Sequence, residues 1–332
     1  MVKEIVKKSL NGKKISSEEI AVLFKVPLLS EDSAMIQASA RQMSEKACGG
    51  LAEVHAQIGL NIAPCPRNCN FCSFAASNKI FSERSDLSTE EVVYRACEFE
   101  SDGANAIYLM TTAGYPFEKF IEISQEVRKS LKPDTVLIAN IDDFTKKQAV
   151  KLKDAGFSGI YHALRLGEGS RTTIPPERRL ETFRNAQEAG LLLGTCVEPV
   201  GPEHSIDELV EKTIITREAK PVYSGAARRI PIANTEMGEY GTVSEAMMAH
   251  VLSVVRLALG YDVQGNCTHE PNVIGATAGA NLLWAETGSN PRDVEKETKG
   301  KRGMTVSECR KIFKEAEWDV LTGPSKFYSG NH

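Results

Sequence analysis

No run of about 18 apolar residues occurs in the 332-residue chain, so the sequence offers no membrane-spanning helix. Basic charge is not in excess either. A net charge of -4 leaves no footprint for nucleic acid, and a small-molecule partner becomes the default. Eight cysteines are too few for a disulfide scaffold. In such a chain, clustered cysteines read as metal ligands or catalytic groups. The opening Met1-Val2-Lys3-Glu4 lacks the apolar stretch of a secretory signal, which leads us to expect an unprocessed, cytoplasmic protein. What is present is ordinary: 42% hydrophobic and 25% charged residues, which excludes a disordered or fibrous chain.

Residues 17–56 read as helical. Ser16 or Ser17 can cap Glu18-Glu19-Ile20, and Ser30 opens a longer stretch ending near Gly49-Gly50. Short apolar runs then alternate with amphipathic stretches. The strand candidates are 58–63, 106–110, 136–139, 159–163, 191–196, 229–232, 261–264 and 281–284. Helices are expected to start near Thr89, Phe117, Phe144, Pro175, Ser205, Val243 and Pro271. Regular strand–helix alternation means parallel strands joined by helical crossovers. Eight such units predict an α/β fold: a (βα)8 TIM-type barrel with helical N- and C-terminal extensions. We expect an N-terminal helical extension over 1–56, the barrel over 57–285, and a C-terminal loop and helix over 286–332 packed on it. Residues 286–303 read as a surface loop and Met304–Trp318 as the final helix.

The most informative feature is Cys65-Pro66-Arg67-Asn68-Cys69-Asn70-Phe71-Cys72, a Cys-x3-Cys-x2-Cys spacing just after the first expected strand. A barrel's active face begins at such strand ends. Three thiolates on a tight loop can hold three irons of a cubane cluster and leave the fourth open to a small molecule. A structural zinc loop is the alternative, but zinc calls for a fourth Cys or His at a paired spacing, and none lies nearby.

At these residues the chain resembles the radical S-adenosylmethionine superfamily, with Phe71 supplying the aromatic residue that usually precedes the last cysteine. The resemblance implies that Cys65, Cys69 and Cys72 bind a 4Fe–4S cluster, and that S-adenosyl-L-methionine chelates its open iron and is cleaved to a 5′-deoxyadenosyl radical. It also implies cofactor contacts from Phe71, from Thr111 and Thr112 in the turn after the second strand, and from Arg179. In biotin synthase-like members an arginine at that place pairs with the methionine carboxylate. Arg178 competes with Arg179 for this role. His162 and Glu198 are ribose candidates; a core histidine and a substrate contact are their alternatives. Arg165, Arg229 and Asn140 are candidate substrate residues.

The resemblance to the biotin synthase group runs from about Cys48 to Trp284 and includes Gly275-Ala276-Thr277-Ala278-Gly279-Ala280-Asn281. Cys196 and Cys267 stand near C-terminal strand ends, where an auxiliary Fe–S cluster is one reading and two buried thiols the other. Several family features are missing. The second and third strands end without cysteine. Gln264 stands where an arginine ligand is usual, and Ala163 and Ala233 stand where substrate-holding asparagines are usual. Two enzymatic readings follow. One is sulfur insertion into an unactivated C–H bond, as in dethiobiotin to biotin. The other is a single-cluster rearrangement or cofactor-assembly step, like that of methylornithine synthase or a hydrogenase maturase. A non-enzymatic iron–sulfur or zinc-binding protein is a third. The resemblance further implies flavodoxin or ferredoxin as electron donor, and a homodimer.

Overall fold

A computed structural model describes residues 1–329. Three helices come first: α1 (Val2–Leu10), α2 (Ser17–Phe24) and α3 (Glu31–Cys48). Ser16 and Glu19 form a capping box on α2, and Ser30 caps α3. Gly49 ends α3 in the left-handed region, at φ 65°.

Strand β1 (Leu51–Gly59) follows at once, so residues 51–56 are strand and not part of the helical extension read from the sequence. The reason is its alternation. Ala52, Val54, Ala56 and Ile58 face the surrounding helices. Glu53 and His55, which make the segment look like a polar helix, are buried and hydrogen-bonded to each other at 2.8 Å.

Next come β2 (Asn61–Ile62) and β3 (Ser85–Asp86), which pair antiparallel beside the mouth. The remaining strands are β4 (Ala106–Met110), β5 (Val136–Asn140), β6 (Gly159–Tyr161), β7 (Leu192–Gly194), β8 (Val197–Val200), β9 (Tyr223–Arg228), β10 (Gly265–Thr268), β11 (Leu282–Gly288) and β12 (Asp319–Val320). Between them run α4 (Thr89–Ser101), α5 (Phe117–Ser130), α6 (Lys146–Asp154), α7 (Pro176–Glu188), α8 (Ile206–Glu218), α9 (Glu245–Leu259), α10 (Val273–Thr277) and α11 (Val306–Glu315).

Strands β1, β4, β5, β6, β7, β9, β10 and β11 pair in parallel and in chain order, and β9 pairs with β10, which closes the sheet. The result is the expected (βα)8 barrel. Strand β8 continues β7 after a break at Thr195–Cys196 and pairs with β9. Aromatic side chains fill the interior: Tyr108, Tyr161, Tyr223, Trp284, Phe327 and Tyr328 form one buried cluster. No helix among the described residues is long and apolar enough to cross a membrane.

Two strands lie earlier or later than the pattern predicts. The sixth is Tyr223–Arg228 rather than 229–232, and the seventh is Gly265–Thr268 rather than 261–264. Both are rich in small residues that give little strand signal: Ser224-Gly225-Ala226-Ala227 in β9 and Gly265-Asn266-Cys267 in β10. They are needed because the two strands approach closely: a Cβ on Gly225 would sit 2.1 Å from the Cys267 carbonyl oxygen. The expected surface loop 286–303 begins inside β11, and Glu286, Ser289, Asn290 and Thr298 are buried.

Candidate active site

The cysteine triplet lies on the loop after β1, at the C-terminal end of the barrel. The chain folds back on itself here. The Cys65 amide donates to the Phe74 carbonyl at 2.7 Å, and the Cys72 amide to the Cys69 carbonyl at 2.8 Å. Asn68 takes a left-handed turn at φ 46°, which asparagine tolerates. The loop is tied to its surroundings by Arg67, which clasps Asp142 with Nε and Nη2 (2.7–3.2 Å), and by backbone bonds from Asn70 to Arg171, Thr173 to Arg67 and Ser73 to Pro291.

All three cysteines are free and line one cavity, together with Phe71. Burial pushes Cys69 up to about 11 and Cys72 higher still. Metal coordination is what deprotonates such thiols. The donor set fits a 4Fe–4S cluster: three soft ligands on one loop, facing a cavity from which a small molecule can reach a fourth iron.

Six arginines line this cavity: Arg67, Arg165, Arg179, Arg228, Arg229 and Arg292. Five are engaged. Arg67 holds Asp142, Arg179 lies between Asp143 (3.2 Å) and Glu168 (3.3 Å), and Arg228 pairs with Glu270. Arg229 takes both oxygens of Glu203, and Arg292 reaches Glu286 at 2.7 Å. Among the described residues, the Arg165 guanidinium makes no hydrogen bond; its nearest carboxylate oxygen, on Glu198, is 3.6 Å away. Burial works against its charge, but Glu198 and Glu168 outweigh that and hold it protonated. The site therefore leaves one cation with its bidentate fork free.

The other expected residues also line the cavity, several with their polar groups already committed. Thr112 is held by Asn61, which accepts from its amide (2.9 Å) and donates to its hydroxyl (2.8 Å). The Thr111 amide donates to the Asn140 carbonyl, and the Asn140 side chain donates to Gln57 at 2.8 Å. His162 is buried, with Nε2 2.9 Å from Asp143; burial and the nearby Arg179 lower its pKa despite that carboxylate. Glu198 accepts from the Tyr161 hydroxyl at 2.7 Å.

Cys196 and Cys267 come together, but not at the mouth. They lie under the cavity floor, 1% and 0% exposed, and do not line it. Their sulfurs are 2.8 Å apart, too far for a disulfide bond of about 2.05 Å. His269 joins them, with Nε2 3.8 Å from the Cys196 sulfur, and lines the cavity itself. Burial raises both thiols; at Cys267 hydrogen bonds from Cys196 and His269 outweigh it and lower the thiol, while Cys196 stays raised. Sequence reading missed His269. Its signal was the Cys-x-His spacing, which on a strand puts both side chains on one face. It also missed Gln57 and Arg292, which carry no motif.

Residues 63–214 match the Radical SAM superfamily. The chain is similar to the biotin synthase of Clostridioides difficile, at 26% identity over 85% of this chain and 86% of that protein. It is also similar to the biotin synthase of Carboxydothermus hydrogenoformans, at 24% identity over 64% and 68%. In fold it is similar to methylornithine synthase (TM-score 0.80, 16% identity, 96% of this chain and 97% of that one). It is equally similar to the FeFe-hydrogenase maturase HydG of Carboxydothermus hydrogenoformans (TM-score 0.80, 20% identity, 99% and 81%).

Proposed function

Taking the chain as a radical SAM enzyme with biotin synthase homologues, we propose that it inserts sulfur into an unactivated C–H bond of a small molecule, as biotin synthases do, and draws that sulfur from an auxiliary iron–sulfur centre on Cys196 and Cys267. The observation that carries this reading is the second pair of thiols, 2.8 Å apart beneath the cavity that the triplet lines. The 4Fe–4S cluster and S-adenosylmethionine, when bound, supply the electron and the 5′-deoxyadenosyl radical that abstracts hydrogen.

The chain's own residues do the rest. Cys65, Cys69 and Cys72 would hold three irons of the cluster. Arg165, the arginine with free donors, takes the methionine or substrate carboxylate. Arg179, expected from the resemblance to take it, is instead already neutralised by Asp143 and Glu168. Thr111, Thr112, Phe71, His162 and Glu198 wall the cofactor, and Asn140 and Arg229 wall the substrate. The enzyme works anaerobically in the cytoplasm as a homodimer and takes its electron from flavodoxin or ferredoxin.

One observation favours the single-cluster reading. Strands β4 and β5 end in Met110 and Asn140, and no cysteine besides the triplet lines the cavity. The test is anaerobic turnover of the reconstituted enzyme with dethiobiotin, reading 5′-deoxyadenosine and biotin together. Both products support sulfur insertion. 5′-Deoxyadenosine without biotin, at about four irons per chain, supports a rearrangement enzyme.

A further inference from the structure

Arg165 keeps its donors free although a carboxylate stands close by. Glu198, on β8, brings Oε1 to 3.6 Å from Arg165 Nε and stops there. Its other oxygen, Oε2, accepts from the Tyr161 hydroxyl at 2.7 Å. The second acid near Arg165 is committed elsewhere. Glu168 accepts from the Arg165 amide, from Arg179 and from the Thr172 hydroxyl.

Only side-chain torsions separate this open arrangement from a closed ion pair. The backbones are already tied, because the Leu166 amide donates to the Glu198 carbonyl at 2.7 Å. The Glu198 side chain is 14% exposed, so it depends on protein donors more than on water. Tyr161 supplies one from a fixed ring at the end of β6. That ring is buried, lies parallel to Tyr223 with 4° between planes, and sits 5.5 Å from the His269 ring. Without the hydroxyl, the carboxylate's nearest strong donor is Arg165. Elsewhere in the same cavity wall, Glu203 closes on Arg229 with both oxygens.

The free fork lies near the triplet. Among charged groups, Arg165 acts most strongly on Cys69. An anion held by Arg165 therefore stands beside the cysteines, where the methionine end of S-adenosylmethionine would meet the open iron.

We propose that Tyr161 is a positioning residue: its hydroxyl holds Glu198 off Arg165 and so keeps that fork open for the methionine carboxylate. The inference rests on the carboxylate role given to Arg165 above and is independent of where the sulfur comes from.

Equilibrium binding of S-adenosylmethionine to the reconstituted full-length enzyme tests it. Tyr161→Phe should weaken binding about tenfold, the low end for a hydrogen bond to a charged group, because the ligand must now displace Glu198. In a Glu198→Gln background the same Tyr161→Phe should cost little, since no carboxylate remains to close. A lost packing contact would cost the same in both backgrounds. So would an effect through Cys196, which also lies beside the Tyr161 hydroxyl. Circular dichroism and melting temperature check that each variant is folded. A crystal structure of Tyr161→Phe should show Glu198 hydrogen-bonded to Arg165. Parental affinity in Tyr161→Phe, equal losses in the two backgrounds, or a Glu198–Arg165 pair still open would overturn the positioning role. Arg165→Ala tells the two failures apart. If it binds S-adenosylmethionine as the parent does, the carboxylate role of Arg165 falls and this inference with it. If it binds weakly while Tyr161→Phe binds normally, only the inference falls.

Discussion

Arg67, between the first two cysteines of the triplet, clasps Asp142 just beyond the end of β5 through two guanidinium nitrogens. The pair fixes the cysteine loop to a neighbouring strand end. Its side chains are 34% and 22% exposed, so its share of global stability is small, about 0.2–1 kcal/mol. Its effect should appear in the loop instead. Asp142→Asn should leave the melting temperature nearly unchanged but let a chelator strip iron severalfold faster. Equal stripping rates in the variant and the parent would remove this role.

The two cavity arginines on either side of the loop after β6 should fail in different ways. Arg165 has free donors, so Arg165→Ala should raise KM for S-adenosylmethionine or for substrate by about 10- to 100-fold, the loss of a charged hydrogen-bond pair, with the fold intact. Arg179→Ala would leave Asp143 and Glu168 buried without a cation and should cost about 3–5 kcal/mol of stability. Steady-state kinetics beside urea unfolding separates the two. A stable Arg179→Ala enzyme with a raised KM would transfer the carboxylate role to Arg179.

On the proposed cluster assignment, Cys69→Ala should abolish reductive cleavage of S-adenosylmethionine, because it removes one of the three thiols that line the cavity. The measurement is 5′-deoxyadenosine by chromatography after incubation with dithionite. Parental yields would overturn the cluster assignment.

Acid should find one weak point at Glu286. Burial works to raise its pKa, but Arg292 and Arg302 outweigh that and hold it at about 2. A carboxyl depressed in the folded state stabilises above its unfolded value, near 4.3, and loses that contribution as pH falls toward 2. The stake is on the order of 3 kcal/mol. Glu286→Gln should therefore be less stable at pH 7 and show a flatter decline between about pH 4.5 and 2. Parallel stability–pH curves for the two proteins would show that Glu286 is not the group responsible.

Much of the architecture could be read from residue order alone. The Cys65–Cys72 spacing, the caps at Ser16 and Ser30, and the strand–helix alternation are local, and local geometry obeys local rules. The misreadings were also local in origin. Segment 51–56 looked helical because Glu53 and His55 satisfy each other inside the barrel, and β9 was missed because close approach to β10 demands small residues there.

The amino-acid sequence by itself determined a barrel with three cysteines on one loop at its mouth. Only the tertiary structure decided which arginine is free and which thiols meet. Arg165 and Arg179 differ not in kind but in the carboxylates that reach them, and Cys196 meets Cys267 from 71 residues away. Contacts across a closed barrel are set by which strand ends face one another. That is a property of the closed sheet, and no spacing along the chain encodes it.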